Sequence, residues 1–204
     1  MILRALLLGG ILLLGGILLL SGCATAPLVE PETDPQRMAL WQAHQALLQQ
    51  IGHWRAEGRA AIRAQGSGGQ VAFDWQRDPG QQLLHIRTPL GQNAMQLTLN
   101  AQGVVLIDHE GRIYQGSDGE SMLREALGWS VPVDAMHAWL LGLPASGDDA
   151  FSLDAQGRLK SMHSNGWRID YQRYTVIDGI PLPSRLELTH ADLNLRLVVD
   201  RWHL

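Results

Sequence analysis

Side chains that commonly act in catalysis or metal binding occur in this chain, but their spacing does not group them. Eight histidines are spread along the sequence, and none stands at metal-ligand spacing from another. Lys160-Ser161 lacks the preceding glycine of a phosphate-binding loop, and Asp148-Asp149 lies in a Gly/Ser stretch typical of a solvated turn. The sequence contains neither Gly-x-Ser-x-Gly nor His-Glu-x-x-His. We therefore expect a protein that is not an enzyme and that uses no cofactor and no metal.

Cys23 is the only cysteine, and it follows a segment of unusual composition. Residues 5–20 are all Ala, Leu, Ile or Gly, and Arg4 precedes them. This segment is shorter than the ~20 residues of a membrane-spanning helix and suits the core of a signal peptide. Leu20-Ser21-Gly22-Cys23 resembles the lipobox of bacterial lipoproteins, which implies cleavage of residues 1–22 and acylation of Cys23. The alternative is an uncleaved membrane anchor with an incidental cysteine.

The rest of the chain is expected to form a tether and one domain. Residues 23–33 contain two prolines and show no periodicity, which predicts a flexible tether after the lipidated cysteine. Residues 34–204 are long enough for one domain with a sizeable core. The formal net charge of −4 makes nucleic acid a poor candidate partner.

Alternating apolar and polar residues dominate the domain and predict antiparallel strands with one buried face. Residues 54–62 show the pattern first, and residues 71–76, 95–100 and 193–200 repeat it. Short turn signals such as Asn165-Gly166 separate the strands, so consecutive strands should be neighbours. We predict about eleven strands.

Three helices complete the predicted elements. The first begins at Asp34-Pro35, as N-cap and first helical residue, and buries either His44 or Gln45. The second is predicted from about Asp118 to Leu127, opened by a capping box from Ser117 to Glu120. The third is predicted from Asp134 to Leu141, before Gly142.

Three helices can cover little of such a sheet, so the sheet should curl around them. Small residues on the inner face of the first strand, Ala56, Gly58 and Ala60, leave room for an apolar cavity. A solid core filled by large residues from other strands is the alternative. The seven tryptophans fit either arrangement, as core residues or as cavity lining.

Three local motifs carry a family resemblance. Trp41-Gln42-Ala43-His44-Gln45 lies in the first helix, and Thr88-Pro89-Leu90-Gly91 lies between the third and fourth strands. Gly128-Trp129-Ser130-Val131-Pro132-Val133 leads into Trp139-Leu140-Leu141-Gly142-Leu143-Pro144. Together with the lipobox, these motifs resemble the LolB family of lipoprotein-sorting receptors, from Cys23 to the C-terminus.

The resemblance implies a fold and a function. The fold would be mainly β (α+β), an incomplete curved antiparallel barrel with a helical lid over an apolar cavity. The protein would receive lipoproteins from the periplasmic carrier LolA by binding their acyl chains. It would then insert them into the phospholipid of the inner leaflet of the outer membrane. It would act as a monomer, lipid-anchored in the outer membrane of a Gram-negative bacterium and facing the periplasm.

The resemblance also assigns residues. Pro89, Leu90 and Gly91 would form a membrane-insertion loop, whereas a leucine folded back on the core is the alternative. The tryptophans that match the family pattern would line the acyl-chain cavity, with plain packing as the alternative; they are Trp41, Trp75, Trp139 and Trp167. Two other functions stay open: a lipid-anchored binding module for another apolar ligand, and a structural envelope lipoprotein.

Overall fold

A computed structural model describes residues 31–64, 67–127, 130–147 and 149–204. The predicted signal peptide, Cys23, most of the predicted tether and Trp129 lie outside the described residues. The described part of the chain forms eleven strands and three helices. The helices are α1 (Pro35–Gln49), α2 (Gly119–Leu127) and α3 (Val133–Leu141). The strands are β1 (Trp54–Ala64), β2 (Ser67–Asp78), β3 (Gln81–Arg87), β4 (Asn93–Asn100), β5 (Gly103–Asp108), β6 (Ile113–Gly116), β7 (Ala150–Leu153), β8 (Leu159–Ser164), β9 (Trp167–Ile177), β10 (Ile180–His190) and β11 (Leu193–His203).

The strands form one antiparallel sheet in the order β6-β5-β4-β3-β2-β1-β11-β10-β9-β8-β7. The first strand pairs with the last, with Ala64 opposite Leu193 and Ala56 opposite Trp202. The sheet does not close, because β6 and β7 remain as its edges. The predicted incomplete barrel of about eleven strands is confirmed.

Antiparallel connections place the hairpins alternately at two ends of the sheet. We call the end that carries the 88–92, 109–112, 165–166 and 191–192 loops the upper end. The loops at 79–80, 101–102, 154–158 and 178–179 lie at the lower end. The end at which a loop lies decides which other loops, and which part of the sheet interior, it can act with.

The inner face of β1 shows how the sheet curls. Trp54, Ala56 and Ala60 are buried, as the alternation predicts. A register shift between Glu57 and Gly58 marks a bulge in the β1–β11 pairing. A Cβ atom on Gly58 would lie 2.1 Å from the Val198 carbonyl oxygen, so only glycine allows β11 to approach this closely.

The helices begin and end for identifiable reasons. Asp34 caps α1, since its carboxylate accepts from the N–H groups of Gln36 at 2.9 Å and Arg37 at 3.4 Å. The predicted Ser117 cap of α2 is wrong: Asp118 accepts from the N–H groups of the first turn instead. Gly142 ends α3 with a φ of 84°. Within the described residues, the helices are too short or too polar to cross a bilayer.

Glu32 falls in the predicted tether, yet the structure holds it against β7. Its N–H donates to the Phe151 carbonyl at 3.0 Å, and its carboxylate accepts from the Leu153 N–H at 3.1 Å. The Glu32 side chain is only 4% exposed and lies 3.2 Å from the Arg37 guanidinium. The Asp34 N–H, the largest of several favourable contacts, lowers the pKa of Glu32 by stabilising its ionised form. Part of the exposed edge of β7 is thereby covered.

His44 joins α1 to β10 and should make stability depend on pH. It is 7% exposed, its Nε2–H donates to the Pro181 carbonyl at 2.9 Å, and burial lowers its pKa. Below about pH 6.5 the unfolded chain binds a proton that folded His44 resists, so the free energy of unfolding should fall between pH 7.5 and 5.5. His44→Gln keeps a donor for Pro181 and should reduce this fall. Some of the fall should remain, because burial also lowers the pKa of His137.

Urea unfolding at the two pH values measures the effect. His109→Gln, at an exposed hairpin position, is the control and should keep the wild-type pH dependence. An unchanged pH dependence in His44→Gln would contradict the role given to its burial.

Candidate functional site

An apolar cavity of about 220 Å³ lies between the sheet and the two shorter helices. Strands β1 to β4 and β11 form one wall, and α2, α3 and the residue Val131 between them form the other. The lining residues are Ala60, Ile62, Val71, Phe73, Trp75, Leu84, Ile86, Ala94, Met95, Leu123, Val131, Val133, Met136, Leu140, Leu195 and Leu197. Every one of them is apolar. The hollow interior is therefore present, and the solid alternative does not hold for this half of the sheet.

The cavity is suited to hydrocarbon. Its lining residues include no acidic, basic or hydroxyl side chain. A water molecule in a cavity needs two to four polar partners, and dry apolar cavities instead take apolar molecules. Among the described residues, no three His, Cys, Asp or Glu side chains are grouped to hold a metal ion.

Helix α3 is attached to the sheet at its C-terminal end. Trp139, near the end of α3, is fully buried, and its carbonyl accepts the Tyr171 hydroxyl at 3.0 Å. The Ser130 hydroxyl, just before α3, donates a hydrogen bond to the Glu120 carboxylate of α2. The C-terminal part of α3 is thus bound to β9, while its earlier residues Val133 and Met136 cover the cavity.

The structure places the four predicted tryptophans in different surroundings. Trp75 lines the cavity and packs against Trp54, with ring centroids 5.8 Å apart. Trp41 packs on Phe151 at 5.5 Å. Trp139 and Trp167 contact each other at 5.9 Å, and neither is among the residues that line the cavity. The structure brings only Trp75 to the cavity wall.

The 88–92 loop presents one large apolar side chain to solvent. Leu90 is 88% exposed, so it does not fold back on the core. The Gly91 N–H donates to the Thr88 carbonyl at 2.8 Å, which closes a turn with Pro89 and Leu90 at its centre. Gly91 has a φ of +82°, a conformation that favours glycine. Proline and glycine therefore hold the leucine outward on a rigid hairpin.

The loop and the cavity belong to the same part of the molecule. Strand β3 enters the loop from Ile86, and β4 leaves it toward Ala94 and Met95, all of which line the cavity. Among the described residues at the upper end, Leu90 is the most exposed large apolar side chain, and Ile113 beside the 109–112 loop is the next, at 63%. An apolar interior and an apolar tip thus lie on the same pair of strands.

Sequence reasoning missed much of the cavity lining. Leu84 and Ile86 lie on β3, where Leu83 and Leu84 are adjacent and the alternation is weak. Leu123 and Met136 lie on short helices whose orientation the pattern did not fix. The run of small residues on β1 was the sequence signal that located part of the cavity wall, since Ala60 does line the cavity.

Solved structures share the fold at low sequence identity. A LolA superfamily protein from Nitrosomonas europaea superposes with a TM-score of 0.53 and 10% identity, covering 81% of this chain and 92% of that protein. A DUF1329 family protein from Desulfovibrio piger has a TM-score of 0.50 and 9% identity, covering 84% and 93%. These similarities establish the architecture alone.

Sequence similarity is much stronger to three proteins named outer-membrane lipoprotein LolB. The Nitrosococcus oceani protein is 38% identical over 186 residues, covering 90% of this chain and 91% of that protein. The Pseudomonas putida protein is 36% identical over 186 residues, with 89% of each chain covered. The Vibrio cholerae protein is 32% identical over 191 residues, with 90% of each covered. A family model described as outer membrane lipoprotein LolB matches residues 52–202. The chain belongs to the LolB family.

Proposed function

We propose that this protein accepts lipoproteins from a periplasmic LolA-type carrier and inserts them into the inner leaflet of the outer membrane. It would act as a monomer, anchored by acylated Cys23 in the outer membrane with its domain in the periplasm. The observation that carries the proposal is the wholly apolar cavity beside the exposed Leu90 hairpin. The relatives named as outer-membrane lipoproteins support the location and the general role in lipoprotein localisation.

The free energy of acyl-chain burial explains why such a cavity is needed. Each buried CH₂ contributes about 0.8 kcal/mol, so one chain of roughly sixteen carbons contributes about 13 kcal/mol. Transfer through water would cost this amount for every chain of the lipoprotein. A protein cavity that replaces water along the route removes most of the barrier. A difference of about 1.4 kcal/mol between successive sites is enough for a tenfold preference.

The cavity must enlarge to hold its cargo. An engineered cavity of about 150 Å³ takes one benzene molecule, so 220 Å³ is too small for a complete acyl chain. Loading therefore requires α2 and the first turns of α3 to move away from the sheet. Trp139 keeps the end of α3 in place during this movement, because its carbonyl accepts from Tyr171 of β9 and its indole ring packs on Trp167 of β9. Of the four tryptophans, we expect Trp75 to contact the chains directly.

A cavity-filling substitution tests the proposal. Ala60 lines the cavity, so Ala60→Phe should occupy part of it and reduce acceptance of lipoprotein from the carrier at least tenfold. Its free energy of unfolding should be unchanged or slightly higher, since filling a cavity adds buried contacts. The measurement is transfer of a labelled lipoprotein from purified LolA to the protein, together with urea unfolding of the variant.

Ala61→Phe is the matched control. Ala61 is the next residue on the same strand but lines the outer face, so acceptance should stay normal. Equal acceptance by both variants would contradict the cavity as the cargo site. If wild-type protein binds fatty acid but takes nothing from the carrier, the protein is a module for another apolar ligand. If the protein is instead a structural lipoprotein, its depletion from cells should leave the amount of carrier–lipoprotein complex unchanged.

A further inference from the structure

The outer face of the sheet is interrupted where β10 leaves β11. These strands pair from His190 opposite Leu193 to Arg185 opposite Val198. Beyond that point Pro183 pairs with Tyr174 of β9, while β11 continues along β1. Register shifts on both sides of Arg185 mark a bulge in the β9–β10 pairing. The gap forms a depression of about 360 Å³ between β9, β10 and β11.

Two prolines keep the gap open. Pro181 and Pro183 lack N–H groups, so β10 cannot donate ladder hydrogen bonds from these positions. Their carbonyls are engaged elsewhere: Pro181 accepts from His44 at 2.9 Å, and Pro183 accepts from the Trp202 indole at 2.9 Å. The interruption between β10 and β11 is therefore fixed by the sequence of β10.

Arg173 and Arg185 are cross-strand partners beside this depression. Both are exposed, and among the described residues no carboxylate lies within ion-pair distance of either guanidinium. Three neighbouring arginines do have such partners: Arg59 with Asp200 at 2.9 Å, Arg196 with Glu187 at 3.2 Å, and Arg201 with Glu57 at 2.7 Å. Like charges directly opposite each other destabilise a sheet. The repulsion between Arg173 and Arg185 therefore destabilises the folded sheet, and no described contact offsets it.

The depression is lined by two arginines and one carboxylate, and the carboxylate is already paired. Arg173, Thr175 and Arg201 line the same depression. The carboxylate in this wall, Asp200, is already held by Arg59 through two hydrogen bonds of 3.0 and 2.9 Å. An incoming anion could therefore accept hydrogen bonds from Arg173 without competing with a free carboxylate.

We propose that Arg173 and Arg185 bind a phosphate group on the outer face of the sheet. Guanidinium groups donate paired hydrogen bonds to phosphate, and phosphate carries enough negative charge to relieve the repulsion between two arginines. The group would be free phosphate or the phosphodiester of a phospholipid headgroup. This site is separate from the apolar cavity, which lies on the other face of the sheet.

Thermal unfolding at constant ionic strength tests the site with inorganic phosphate as the probe. The chain carries Cys23→Ala throughout, so that no acyl anchor contributes. Phosphate should raise the melting temperature of this protein more than chloride does, and Arg173→Gln or Arg185→Gln should weaken the apparent affinity about tenfold or more. Without phosphate, the two arginine variants should melt no lower than the parent, because a like-charge contact is removed.

Arg63→Gln is the matched control, since Arg63 is an exposed arginine of the same face outside the depression. Sedimentation with phosphatidylglycerol vesicles, compared with phosphate-free galactolipid vesicles, distinguishes the two sources. Binding to phosphatidylglycerol that Arg173→Gln abolishes identifies a headgroup, whereas an effect of soluble phosphate alone identifies the free ion. The proposal is overturned if phosphate has no specific effect, or if Arg63→Gln weakens binding as much as Arg173→Gln.

Discussion

Leu90→Glu should abolish delivery of lipoproteins to the membrane while leaving their acceptance from the carrier intact. The hairpin holds Leu90 in solvent, so the substitution removes almost no buried contact and should change the free energy of unfolding by less than about 0.5 kcal/mol. A leucine favours a hydrocarbon environment slightly, whereas an acidic side chain opposes it by about 3 kcal/mol. The inserted state of the loop should therefore become about a hundredfold rarer.

The measurement separates two steps of a reconstituted transfer. Labelled lipoprotein is first loaded from LolA onto the variant, and its appearance in phospholipid vesicles is then followed. Leu90→Met should deliver normally, since it keeps an apolar side chain on the same turn. Val176→Glu is a second control, because Val176 is also an exposed apolar residue but lies beside the 178–179 hairpin at the lower end. If Leu90→Glu delivers normally, or Val176→Glu fails equally, the upper hairpin is not the unloading element.

Trp139→Ala should lower the free energy of unfolding by about 3–5 kcal/mol. The Trp139 side chain is fully buried, packs on Trp167, and lies in the segment of α3 that accepts the Tyr171 hydroxyl. Such a loss is a large share of the 5–15 kcal/mol that stabilises a typical domain. Urea unfolding measures it directly. Trp139→Phe should keep most of the stability, since an aromatic ring can still pack against Trp167.

The same variant distinguishes core packing from cavity lining. At low temperature, where Trp139→Ala remains folded, acceptance of lipoprotein should fall only as far as the folded fraction does. Trp75→Ala should instead change acceptance in the folded protein, because Trp75 forms part of the cavity wall. A folded Trp139→Ala protein that takes up no lipoprotein would place Trp139 in the acyl-chain site.

The sheet could be predicted because its strands alternate cleanly and most of its hairpins are short. Trp54, Ala56 and Ala60 are buried as the pattern indicated. The first helix was equally clear, since Asp34 and Pro35 are strong start signals. These features depend on residues close together in the chain.

Features that depend on distant residues were not predictable in the same way. The sequence around Glu32 is typical of a tether, and only the fold brings Phe151 and Leu153 beside it. The cap of α2 was misassigned because Ser117 and Asp118 are adjacent acceptors, and only the backbone geometry chooses between them. The gap between β10 and β11 had a local signal that was not used, since prolines at 181 and 183 argue against a strand paired on both sides.

The contact of Glu32 with β7 also limits how far the folded domain can lie from the membrane that holds its proposed anchor. With Cys23 acylated as proposed, nine peptide units separate the lipid from the fixed Glu32, and an extended chain spans at most about 3.3–3.6 Å per residue. The tether from Cys23 to Glu32 is then at most about 30 Å long, comparable with the hydrocarbon thickness of a bilayer. Such a receptor cannot travel across the periplasm to collect cargo. Under the proposed function, the soluble carrier would make the long-distance step, and the anchored protein would act only at the membrane surface that holds its anchor.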